Sequence, residues 1–232
     1  MKKYKARVSK HILDSHEGYT CLYGISIGNP NQSDEKLKAT IDFINDNFSE
    51  CIIGLSDTLQ IPNHIANGLT REEAREKSII NRNMWIDRNE HIIKKLKIKY
   101  TIQLWDETMS LPCKHGDLFD LFNKMYEKDL RFKCVIDSDV KQFVDRNPSL
   151  IGKEYLSREF LFTELDGYSR VGQTGKYIKI YPSSPLKSFS TIQDGKFDWA
   201  MYGMNNIRSS RIYFDRVAQN NNQSCYKHKI AL

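Results

Sequence analysis

Between Thr20 and Leu55 the chain reads as strand, helix, strand, and this unit decides more about the fold than any other stretch. Thr20 to Ile27 (TCLYGISI) is rich in β-compatible side chains and is closed by Gly28-Asn29-Pro30. An amphipathic helix is predicted from about Asp34 to Phe48, with Leu37, Ile41, Ile44 and Phe48 on one face and Ser33 as N-cap. A second apolar run, Cys51 to Leu55, stops at Ser56-Asp57. Two neighbouring strands joined by a crossover helix run parallel, and parallel strands need helices to cover their faces.

The rest of the chain extends this pattern. Thr70-Arg71-Glu72-Glu73 fits a capping box that opens a long helix to about Lys95. A strand follows at Tyr100–Trp105, then helices near Asp117–Glu127, Lys133–Asp145 and Leu150–Leu165. Further strands are expected at Tyr177–Tyr181 and Arg211–Phe214. The expected fold is α/β: a single Rossmann-like domain over residues 1–217, with a mainly parallel central sheet covered by helices. The Asn/Gln-rich segment 218–232 reads as a weakly ordered tail.

Composition narrows the classes. With 40% apolar and 28% charged residues in 232, the chain has globular composition, which excludes collagen-like and low-complexity types. The five cysteines (Cys21, Cys51, Cys113, Cys134, Cys225) are odd in number and never form C-x-x-C, so they read as reduced thiols. The six histidines lack ligand spacing, and no metal site is expected. No stretch has the length of a membrane span or the apolar core of a signal peptide, so a cytoplasmic protein is expected. The net charge of +6 is uneven: Arg170 to Leu232 carries ten basic residues against three acids. Arg71 to Lys99 carries nine against five. Such patches favour an acidic partner only weakly.

Three local patterns could carry chemistry. Gly24-Ile25-Ser26-Ile27-Gly28 is a literal G-x-S-x-G at the end of the first predicted strand, where α/β sheets bind ligands. A strand-end serine capping a turn is the commoner role of such a pentapeptide. A hydrolase elbow is opposed by its place on the first strand and by the lack of a partnered histidine, since the last one, His228, lies in the tail. Tyr155 and Glu159, at i and i+4, share a helix face, where a phenol and a carboxylate could hold an ammonium group. A solvated surface pair is the ordinary alternative. Tyr181-Pro182-Ser183-Ser184-Pro185 closes a strand, whether as a site or as a rigid turn.

In this order and spacing, G-I-S-x-G-N, Y-x-x-x-E and Tyr-Pro resemble the cyclodipeptide synthases. The stretch Ile65-Ala-Asn-Gly-Leu-Thr-Arg-Glu-Glu-Ala-Arg is also similar to that family, and the likeness runs from about Gly24 to Pro185. It implies a fold like the catalytic domains of class Ic aminoacyl-tRNA synthetases, here without their ATP-binding motifs. It also implies that two aminoacyl-tRNAs are consumed to form a cyclic dipeptide, with no cofactor, metal or membrane, by a monomer.

By position, the resemblance makes Ser26 the nucleophile and gives Tyr155 and Glu159 the amine of the first aminoacyl group. Tyr181 positions the dipeptidyl intermediate, and Leu22, Gly24, Asn29 and Phe162 serve substrate binding. The chain mixes two family patterns, since Asn29 accompanies Tyr181-Pro182; Tyr177 is the other candidate for the aligned tyrosine, and Tyr181 is preferred for its adjacent proline. Lys77, Arg82, Arg88, Lys94, Lys95 and Lys97 spread along more than five turns, enough to track a tRNA acceptor stem. Their neighbours Glu72, Glu73, Glu76, Asp87 and Glu90 equally fit a solvated helix. A non-catalytic RNA-binding domain and a serine hydrolase are the two rival readings.

Overall fold

The computed structural model describes residues 3–13, 17–114, 116, 118–183, 186–197 and 202–217. A short strand β1 (Tyr4–Arg7) and a one-turn helix α1 (Lys10–Leu13) precede the predicted strand–helix–strand unit. That unit forms as β2 (Thr20–Ile25), α2 (Asp34–Asn47) and β3 (Glu50–Leu55). Strand β2 stops two residues short of the predicted Ile27, which releases Ser26 from the sheet. Ser33 stands at the N-cap of α2, but its side chain makes no capping bond. The predicted face of α2 is buried through Leu37, Ile41, Ile44 and Phe48.

A short helix α3 (Ile61–Ala66) leads to α4 (Arg71–Ile93), whose capping box forms as predicted between Thr70 and Glu73. Strand β4 (Lys99–Leu104) gives way to α5 (Trp105–Met109), and α6 (Leu118–Lys128) and α7 (Leu130–Arg146) follow. Helix α8 (Glu154–Thr174) runs well past the predicted Leu165, and an i,i+4 pair between Asp166 and Arg170 supports its extension. Gly167 within that extension is a packing position. A Cβ there would lie 2.6 Å from the Trp105 ring.

The chain closes with β5 (Tyr177–Tyr181), α9 (Lys187–Gln193), β6 (Ile207–Arg211) and β7 (Tyr213–Arg216). The single strand predicted at Arg211–Phe214 is therefore two strands, which part at the buried Ile212 and join different sheets. Ser184, Pro185 and the predicted tail 218–232 lie outside the described residues.

The main sheet has the order β4-β3-β2-β5-β6, and every pairing in it is parallel. Strands β1 and β7 form a separate antiparallel ribbon. From β2 the chain steps outward through β3 to β4, then crosses to the other side of β2 for β5 and β6. The winding direction reverses between β2 and β5, and such a reversal opens a crevice at the carboxyl ends of the two strands.

Alternate residues serve opposite faces. Cys21, Tyr23 and Ile25 join a core with α2 and α4, while Leu22 belongs to a second core built by α6, α7, α8 and α9. Cys21 and Cys51 are fully buried register partners, and both are free thiols.

Candidate active site

Ser26 follows directly on β2, and Tyr181 ends β5, so the crevice at the switch point lies between them. The backbone around Ser26 is held by Gln32, a fully buried side chain that sequence reading missed. The Ser26 N–H donates to Gln32 Oε1 at 2.8 Å, and Gln32 Nε2 donates to the Gly24 carbonyl. One amide thus replaces the sheet partner that β2 loses at its end. The turn is completed by the Asn29 N–H donating to the Ser26 carbonyl at 3.0 Å, with Gly28 at φ +90°.

The crevice opens into a cavity of about 540 Å³. Ser26, Glu164, Tyr168, Lys179 and Tyr181 give its lining polar groups, Phe160 and Phe189 an apolar part, and Asn63, Gln142 and Arg146 also line it. That size suits a small organic group in a mostly apolar site with a few fixed polar atoms. Asn29 Nδ2 donates to the Tyr181 hydroxyl at 3.4 Å. Burial raises the Tyr181 phenol above its ordinary value, against the pull of hydrogen bonds from Asn29 and Ser26.

The carboxylate of the cavity is Glu164. Lys179 Nζ lies 3.8 Å from Glu164 Oε1, and both side chains are nearly buried. The same ammonium stands 3.6 Å from the Tyr168 ring centroid and 4.4 Å from that of Phe189. Burial pushes the Glu164 carboxyl up, partly offset by the Lys179 charge, and pushes the Lys179 ammonium down to about 8. A clustered set of shifted groups in one cleft marks a site where chemistry is plausible.

Not every residue expected at the site is brought there. Tyr155 is 56% exposed, and Glu159 binds Arg71 at 2.9 Å; neither lines the cavity among the described residues. The reason is helical register. Residues 160, 164 and 168 stack on the cavity face, and position 159 is about 100° away from 160. Phe162 is fully buried among Phe119, Phe122, Tyr126 and Phe132, on the far side of α8 from the cavity lining. Leu22 lines a second, far smaller cavity of about 10 Å³ with Gly24, Trp105 and Tyr168. Tyr177, the alternative tyrosine, bonds Thr174 at 2.7 Å and does not line the larger cavity among the described residues.

The basic residues of the long helix divide. Arg82 is half-buried and pairs at 3.3 Å with the buried Asp57, whose other oxygen accepts the Trp105 N–H. That arginine is a structural strut. Arg88 pairs with Asp34 and Lys94 with Glu90, both in solvent. Lys77, Lys95 and Lys97 are exposed and make no ion pair among the described residues, although Lys95 and Lys97 lie just past the end of α4.

Among the described residues no group of three or more His, Cys, Asp or Glu side chains could hold a metal ion. No helix among them is long and apolar enough to cross a membrane.

No protein-family model and no curated protein matches the sequence. Solved structures do. A cyclodipeptide synthase from Fluoribacter dumoffii superposes with a TM-score of 0.81 at 24% identity, over 94% of this chain and 100% of that one. A cyclodipeptide synthase from Candidatus Glomeribacter gigasporarum, solved bound to Phe-tRNAPhe, gives a TM-score of 0.72 at 17% identity, over 97% and 100%. A Mycobacterium tuberculosis protein gives 0.68 at 17% identity, over 91% and 94%; its structure relates cyclodipeptide synthetases to type I tRNA synthetases. The parallel sheet, its switch point and the cavity beside Ser26 are thus set in the fold of the cyclodipeptide synthases.

Proposed function

We propose that the chain is a tRNA-dependent cyclodipeptide synthase that works by acyl transfer through Ser26. The observation that carries this reading is the joint placement of Ser26, Tyr181 and Glu164 in one cavity at the switch point of this fold. The solved relative with bound Phe-tRNAPhe supplies the substrate class.

The Ser26 hydroxyl attacks the ester carbonyl of a first aminoacyl-tRNA, and the tRNA leaves with a hydroxyl that takes up the serine proton. Ester is exchanged for ester, so the step is nearly isoenergetic and depends on positioning more than on a strong base. The α-amine of a second aminoacyl-tRNA then attacks the serine ester. This forms a peptide bond and returns the proton to Ser26. The first residue's amine finally attacks the remaining ester, the second tRNA leaves, and the ring closes.

In this reading Glu164, rather than Glu159, holds the ammonium group of the bound aminoacyl moiety. A cavity carboxylate can reach an acyl group on Ser26, whereas Glu159 is engaged by Arg71 outside it. Tyr181, tied to Asn29, fixes the dipeptidyl intermediate. The apolar part at Phe160 and Phe189 excludes water from the serine ester. The enzyme is read as a monomer, and aminoacyl-tRNA substrates fit a reaction in the cytoplasm. Lys77, Lys95 and Lys97 track the tRNA, with Arg146 in the cavity lining for its terminal nucleotides.

Mass spectrometry of the medium of a bacterial host expressing the chain tests the reading. A new cyclic dipeptide is expected, and it disappears with Ser26→Ala; soluble expression without any such product defeats the proposal. The same variant separates the rivals, because a pure RNA binder keeps its affinity without Ser26. A hydrolase cleaves simple esters without tRNA.

A further inference from the structure

A lysine on an interior strand of a parallel sheet has no obvious structural benefit. β5 lies between β2 and β6, and Lys179 faces the core formed with α8 and α9. Desolvating an ion pair there costs more than a well-packed apolar pair of similar volume. The neighbours Ile178 and Ile180 show that this strand readily takes apolar residues. Lys179 is nonetheless placed closely: Nζ rests over the Tyr168 and Phe189 rings, and Cε lies 4.0 Å from where a Cβ on Gly24 would stand. Its partner is the carboxylate that opens into the cavity.

We propose that Lys179 is a positioning residue, whose ammonium keeps the Glu164 carboxylate ionised and aimed into the cavity, ready to turn toward a substrate ammonium. The inference rests on the reading of this cavity as the aminoacyl site. A buried carboxyl without a cation takes up a proton, and a neutral carboxyl attracts an ammonium far less. The pair at 3.8 Å is loose enough for the carboxylate to turn toward a closer partner without losing the lysine charge from its surroundings. Titratable and charged groups face the pair from several elements. Tyr168 stands on α8, Tyr181 on β5, and Asp139 and Arg146 on α7. β2, β6 and α9 present Gly24 and Ser26, Ser209 and Ser210, and Phe189. Lys179 is the cation closest to Glu164 among the described ion pairs.

The test uses Lys179→Met, which keeps the stem and removes the charge, and Lys179→Arg, which restores a charge. Carbon-13 NMR of the glutamate carboxylates, with Glu164 assigned through Glu164→Gln, reads the titration of Glu164 in the free protein and needs no activity. Its midpoint is expected to move up in Lys179→Met and to return in Lys179→Arg. In cyclodipeptide assays the KM for aminoacyl-tRNA is expected to rise about tenfold in Lys179→Met on the acid side, with kcat little changed, and to recover as the pH is raised. An unmoved midpoint in Lys179→Met overturns the proposal, as does an arginine variant as impaired as the methionine one. Should Lys179→Met fail to fold, Glu164→Gln carries the test: the Lys179 ammonium must then titrate lower than in the parent protein. A parent protein that makes no cyclodipeptide, yet shows the NMR coupling, defeats the functional reading and leaves the ion-pair assignment standing.

Discussion

Two of the three glutamates of helix α8, Glu159 and Glu164, stand in two different worlds. Glu159 sits outside the cavity, half-buried beside the exposed Tyr155 and Arg71, where an ion pair open to solvent on its arginine side contributes little. Glu164 stands on the cavity wall with Phe160, Tyr168 and Lys179, where burial shifts every titratable group it touches. The difference teaches that spacing along a helix identifies a pair of side chains but not the face on which they act. In the proposed reaction the chemistry follows the wall.

The sharpest way to break the contrast is to neutralise each carboxylate in turn. Glu164→Gln should slow cyclodipeptide formation by about 10²-fold or more, whereas Glu159→Gln should stay within about threefold. Initial rates measured by mass spectrometry decide it, and equal losses would erase the distinction. Packing gives the next largest effect. Gly167→Ala would press a methyl into the Trp105 ring and should cost about 2 kcal/mol in urea unfolding. Arg71→Ala, outside the cavity, should cost less than about 1 kcal/mol.

A third test uses pH. The Glu164 carboxyl ionises above the ordinary glutamate range because of burial, so the rate should rise with pH through that higher midpoint. Glu159→Gln should leave this limb in place. Stability carries the opposite signs for the two partners. Folded Glu164 keeps its proton longer than the unfolded chain does, so its contribution falls as pH rises from 4.5. Folded Lys179 loses its proton at about 8 and the unfolded lysine at 10.5, so stability rises across that window. Denaturation of the parent against Lys179→Met between those two pH values checks the sign. The smallest effect belongs to the outer surface. Lys95→Ala should leave the chemistry unchanged and reduce the salt dependence of tRNA binding by roughly one phosphate contact.

Much of this was legible in the residues. The period of Leu37, Ile41, Ile44 and Phe48 fixed α2, and its flanking strands required a parallel sheet. Ser26 and Tyr181 could be placed because strand ends in such sheets are where ligands bind. Helix α8 was harder. Phe160-Leu-Phe-Thr-Glu164 repeats the aromatic-to-glutamate spacing of Tyr155 to Glu159, and the two carboxylates differ by about 140° around the axis. Only packing against the sheet selects between them. Lys179 was hidden by its setting, since Ile178-Lys179-Ile180 reads as a strand with one wet face, while here both faces are covered. Strand β1 was missed because four residues carry too little periodicity, and the strand expected at Arg211–Phe214 merged the end of β6 with the start of β7.

The Gln32 amide has a consequence for how charge would be handled in the proposed acyl transfer. In many acyl-transfer enzymes the nucleophile's own backbone N–H helps to stabilise the oxyanion as the carbonyl becomes tetrahedral. Here the Ser26 N–H is already committed to Gln32, and the Ser56 N–H beside it donates to the Ile25 carbonyl at 2.9 Å. Asn29, a donor toward the Tyr181 oxygen, leaves the phenolic hydrogen free to point into the cavity. An oxyanion formed on Ser26 would then be met by a side-chain hydroxyl rather than by the main chain. Such a donor can turn from one carbonyl to the next as successive bonds are made.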